Sequence, residues 1–101
     1  MIVQKAIQDK LNQRFPETLV KVENESHNHS VPANSETHFK VTIVSDDFEG
    51  MRLIMRHRLI NELLAEEMAG PVHALAIHTY TTLQWLEKNQ SSPNSPDCMG
   101  G

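Results

Sequence analysis

"HFKVTIVSDDFEGMRLIMRHRLINELLAEEMAGPVHALAIHTY", from His38 to Tyr80, holds the reading that decides the fold. Its first part alternates, with Phe39, Val41 and Ile43 on one side and Lys40 and Thr42 on the other, which is the period of a strand. "DDFEG" then turns the chain, and Asp46, Asp47 and Glu49 read as helix-start residues. From Met51 to Met68 the apolar spacing becomes helical, with Leu53, Ile60, Leu63, Leu64 and Met68 as expected core contacts. This segment is one helix, or two that bend near "MRHR". Ala69-Gly70-Pro71 is a stop signal, and "VHALAIHTY" is a compact apolar strand. A strand–helix–strand crossover of this kind links parallel strands and is right-handed.

Upstream, "TLVKVENES" alternates as a half-buried strand, with Val20 and Val22 facing one way. "HNHSVPANS" carries Asn, Ser and Pro and reads as a long loop. Residues 18 to 45 are therefore two antiparallel strands around that loop. Ile2, Val3, Ala6, Ile7, Leu11 and Phe15 form the apolar stripe of a first helix, which Pro16 stops. Downstream, Thr81 and Gln84 have capping-box spacing and open a short last helix. "NQSSPNSPDCMGG", residues 89–101, is polar and expected to be disordered. The expectation is an α+β domain over residues 1–88, ordered α-β-β-α-α-β-α. Its three-stranded mixed sheet carries helices on one face and is wetter on the other.

A chain of 101 residues suits one compact domain. Its formal charge of −4 gives no global field for nucleic acid or anionic membrane. The single cysteine, Cys98, excludes an internal disulfide and fits a reducing compartment. "MIVQKAIQDKLNQRF" has no long apolar run, so a cytoplasmic protein without membrane contact is expected. No Ser-His-Asp or Cys-His arrangement has supporting spacing, and no phosphate-binding glycine loop is present. Neither an enzyme nor a small-molecule substrate is expected.

Histidines carry the chemistry that remains. His27 and His29 lie in the long loop, His38 at its end, and His73 near the start of the third strand. Strands two and three are parallel, so both begin at one edge of the sheet. The loop and His73 are expected together there. Taken alone, His73 reads as a hydrogen-bonded residue at the edge of the core, the loop histidines as solvated, and His38 as structural or exposed. Arg52, Arg56, His57 and Arg58 form a basic cluster on the central helix. It is either a solvated face or a phosphate or partner contact.

"SETHF" (35–39), "FEG" (48–50), "RHR" (56–58), "VHAL" (72–75) and "SPDC" (95–98) occur in an order and spacing that resemble the BolA family. The resemblance covers nearly the whole chain. It implies a fold similar to the type II KH domain. It also implies partnership with a monothiol (CGFS-type) glutaredoxin, in which a bridging [2Fe–2S] cluster is held by glutaredoxin cysteine, glutathione and the BolA-like chain. No cluster is expected in the isolated protein. The family's strand ligand, the histidine of "VHAL", falls on His73. Its loop ligand falls on His29, three residues before Pro32, with His27 as a substitute. The resemblance further implies transcriptional regulation linked to stress and cell shape, for which Arg52, Arg56 and Arg58 are the expected DNA contacts. "MRLIMRHRLINEL" lacks the G-x-x-G of RNA-binding KH domains, so the fold does not imply RNA binding.

Overall fold

The computed structural model describes residues 2–26 and 35–88. The elements are α1 (Ile2–Arg14), β1 (Leu19–Asn24), β2 (His38–Val44), a short 3-10 turn (Asp46–Phe48), α2 (Leu53–Leu63), α3 (Ala65–Ala69), β3 (Ala74–Tyr80) and α4 (Thr82–Glu87). This is the α-β-β-α-α-β-α order expected. The sheet is β1-β2-β3, with β1 antiparallel and β3 parallel to the central β2. Among the described residues no helix is long and apolar enough to cross a membrane.

The core forms where the helical stripes meet one sheet face. Ile7, Leu11 and Phe15 of α1 and its end, Phe39, Val41 and Ile43 of β2, and Phe48, Ile60 and Leu64 make one buried cluster with Val22 and Val72. Fully burying side chains of this size contributes about 1.5–3 kcal/mol each before entropy is counted. The opposite face is less wet than its alternation suggests. β2 is central, and Lys40 and Thr42 are buried there, with Lys40 Nζ lying 3.5 Å from Glu23.

Three local expectations change. The central helical segment does break, but at Leu64 (φ −105°, ψ 23°) rather than near "MRHR". Leu53 is exposed at the start of α2, because Ile60 and Leu64 set the buried stripe. Asp46 and Asp47 do not start α2. Ser45 caps the 3-10 turn by accepting the Asp47 amide, Asp46 accepts the Thr82 amide at 3.0 Å, and Asp47 accepts from Arg14 at 3.2 Å. Two glycines fit their places. Gly50 has φ +78°, and a Cβ on Gly70 would meet the Glu66 carbonyl at 3.3 Å. Thr81 and Gln84 form the expected capping box.

The two outer strands are treated differently. α1 lies along β1, where Gln4 and Gln8 side chains donate to the carbonyls of Val22 and Val20 at 2.9 and 3.1 Å. Along β3, among the described residues, no strand or glutamine row does the same.

Candidate functional site

His73 stands immediately before β3, one residue short of the strand position expected for it, and its side chain is exposed. Its backbone is fixed. The His73 and Ala74 amides both donate to the Thr37 carbonyl, at 2.8 and 3.2 Å. Buried Val72 precedes it as part of the core. The imidazole is thus presented to solvent from a backbone tied to β2.

The same corner gathers both ends of the long loop. Ser26 Oγ accepts the Thr37 and His38 amides at 2.9 and 3.1 Å. Asn24 donates to the Ser35 carbonyl at 2.9 Å, and Glu25 N–H donates to the His38 carbonyl at 2.7 Å. Glu36 accepts the Gln4 amide at 2.9 Å in the first turn of α1, where the helix N-terminus favours a carboxylate. The loop therefore leaves and returns beside Thr37, the residue that holds His73. His27 and His29 themselves, like residues 89–101 with Cys98, lie outside the described residues.

His38 is the neighbour that strand alternation undervalued. Its ring is 6.1 Å from the His73 ring, edge-on at 75°. Its Nδ1 is 2.8 Å from the Thr37 hydroxyl. The parallel register that pairs His38 with Ala74 places it there. Among the described residues no group of three or more His, Cys, Asp or Glu side chains could hold a metal.

The basic helix divides into two kinds of arginine. Arg52 and Arg58 are exposed. The expectation that Arg56 offers its guanidinium to a phosphate is corrected by its surroundings, for it is 5 % exposed. Its Nε donates to the Met51 carbonyl and its Nη2 to the Phe48 carbonyl, both at 3.0 Å. Its Nη1 reaches Gln84 Oε1 at 3.0 Å and the Thr79 carbonyl at 3.4 Å. The planar fork joins the 3-10 turn, α2, β3 and α4. The signal lay in the sequence. Arg56 precedes Ile60 by four residues and Leu64 by eight, so it occupies the buried stripe.

A profile described as BolA-like protein matches residues 11–84. The chain belongs to the BolA-like family. It is 54 % identical over 100 residues to the DNA-binding transcriptional regulator BolA of Vibrio cholerae, covering 99 % of this chain and 94 % of that one. It is 52 % identical over 99 residues to mouse BolA-like protein 1, covering 98 % of this chain and 72 % of the relative. The solution structure of mouse BolA1 superposes with a TM-score of 0.81 at 51 % identity, covering 97 % of this chain and 79 % of that one. The BolA-like fold is thus the one reached from the sequence, a mixed three-stranded sheet with helices against it.

Proposed function

We propose that this BolA-like protein is a binding module rather than an enzyme. In this reading it partners a monothiol glutaredoxin and contributes histidine nitrogen to a shared [2Fe–2S] cluster. One observation carries the reading: His73, whose side chain is exposed, has its backbone amide held by the Thr37 carbonyl at the corner where the ends of the long loop are clamped. The donor set fits a shared group. Imidazole nitrogen replaces thiolate on iron in known two-iron centres, yet one strand histidine and one loop histidine leave most of a cluster's coordination to thiolates from elsewhere. When bound, the cluster supplies redox-active iron that can pass between proteins. The chain's own part is to orient one imidazole from a rigid backbone and bring a second on the loop, His29 with His27 as substitute. Each must be deprotonated to bind.

The test is reconstitution. The protein, a monothiol glutaredoxin, glutathione, iron and sulfide are mixed under reducing, anaerobic conditions. A one-to-one complex with a mixed histidine–thiolate cluster spectrum is expected. A glutaredoxin homodimer holding all the cluster, with this chain left free, would contradict the reading.

A second reading has its own support. The Vibrio cholerae relative is described as a DNA-binding transcriptional regulator, and Arg52 and Arg58 are exposed beside the partly accessible His57. DNA contact through α2 is compatible with cluster sharing, since His73 takes no part in it.

A further inference from the structure

A histidine on a fixed backbone still has two side-chain torsions, and ordering them on binding costs entropy. His73 is such a residue, with its amide held by Thr37 and its side chain exposed. Its imidazole has a ring for a neighbour. The His38 ring lies 6.1 Å away between centroids, with the two planes 75° apart. Aromatic rings prefer an edge-to-face arrangement at roughly 4.5–7 Å, and this pair falls within it.

The His38 ring is itself held. His38 is half-buried and opens β2, with its amide donating to Ser26 Oγ at 3.1 Å and its carbonyl accepting from the Glu25 amide at 2.7 Å. Its Nδ1 is 2.8 Å from the Thr37 hydroxyl. A hydroxyl can donate to that nitrogen or accept from it, so the bond survives either neutral tautomer. When the hydroxyl accepts, its own proton can turn to Ser26 Oγ at 3.4 Å. The His38 plane is thereby fixed through its backbone and through its ring. The parallel pairing of His38 with Ala74 sets that plane beside the residue preceding Ala74, which is His73.

We infer that His38 is a positioning residue: its ring holds the His73 imidazole in one orientation and so readies it to bind, without itself touching what His73 binds. The inference rests on the cluster role proposed for His73. An edge-to-face pair favours one arrangement over its alternatives by roughly two- to tenfold. Groups that orient a ligand imidazole raise the retention of the metal it holds, because less ordering remains to be done on binding. The competing role for His38 is that of a further ligand. It is disfavoured by the engagement of Nδ1 with Thr37 and by the half-buried place of the ring.

The test combines NMR of the free full chain with cluster retention in the glutaredoxin complex. In the parent, the ring protons of His38 and His73 should show a nuclear Overhauser contact, and the side-chain couplings of His73 should report one preferred rotamer. His38→Ala should average those couplings and speed cluster loss to a chelator by roughly two- to tenfold, with the histidine–thiolate spectrum kept. His38→Phe keeps a ring but no nitrogen, and should restore the preferred rotamer and most of the retention. A His38→Phe complex that loses the spectrum would make His38 a ligand and overturn the inference. Unchanged couplings and retention in His38→Ala, or a loss that His38→Phe does not restore, would overturn it as well. A parent that shows the ring contact but forms no shared cluster would overturn the cluster reading and still support the ring restraint. A parent that forms the cluster while its His73 couplings are averaged in the free chain would overturn this inference alone.

Discussion

The Thr37 carbonyl accepts the His73 amide at 2.8 Å, while Ser26 Oγ accepts the Thr37 amide at 2.9 Å. Thr37 thus joins the third strand's entry to the clamp that closes the histidine loop. Ser26 is 3 % exposed, and its Oγ also accepts from His38. Ser26→Ala leaves two backbone donors without that acceptor, so a stability loss of about 1–3 kcal/mol is expected. Urea unfolding measures it. Cluster retention in the glutaredoxin complex should fall as well, because the loop stem loosens. Unchanged stability and retention would show that the clamp does not position the loop.

Arg56 should behave as a structural residue. Arg56→Lys keeps the charge but loses the fork that reaches Phe48, Met51, Thr79 and Gln84 together. The expected cost is about 2–4 kcal/mol. At this chain length that lowers Tm by roughly 10 °C or more. A Tm within a degree or two of the parent would mean that the buried guanidinium is dispensable.

DNA binding through α2, where it occurs, should therefore draw on Arg52 and Arg58. Arg52→Ala with Arg58→Ala should lower the slope of log affinity against log salt by about one unit per lost phosphate contact, with the fold intact. Fluorescence anisotropy on a duplex across a salt series reads this out. An unchanged slope would remove these two arginines from the interface.

These arginines also show what the sequence could convey. The crossover from β2 to β3 was legible because its period changes from two to 3.6 and back, and because Gly70-Pro71 ends the helical part. From the crossover came the parallel register, and from the register the placing of His73 beside the loop stem. Arg56 stands in the "RHR" charge cluster, yet its spacing to Ile60 and Leu64 marks the core-facing stripe. Leu53 shows the opposite case, since an apolar side chain in a helical pattern carries no mark of being left outside. The ring contact between His38 and His73 depends on strands far apart in the chain, which no local pattern records.

His78 gives the pH dependence a sign. Burial, followed by the charges of Lys40 and His57, lowers its pKa below the ordinary 6.5 in the folded chain, with Lys88 adding to this and Glu25 opposing it. The unfolded chain therefore takes up the proton first as pH falls. The contribution of neutral His78 to stability is complete above pH 6.5 and is lost as pH falls through the lowered folded value. His78→Gln should flatten the decline in urea-unfolding stability between pH 7.5 and pH 5 relative to the parent. Parallel declines would show that the imidazole is not held neutral.

The central claim is that His73 supplies the strand ligand from a fixed backbone. It is tested most directly by the absorption and circular dichroism spectra of the reconstituted glutaredoxin complex with His73→Ala, beside His29→Ala and the His27/His29 double substitution. His73 is anchored, whereas His29 has a second histidine two residues away. His73→Ala should abolish the mixed histidine–thiolate spectrum, His29→Ala should alter it and weaken retention less completely, and the double substitution should match the loss at His73. A spectrum unchanged by His73→Ala but removed by His29→Ala would contradict the account.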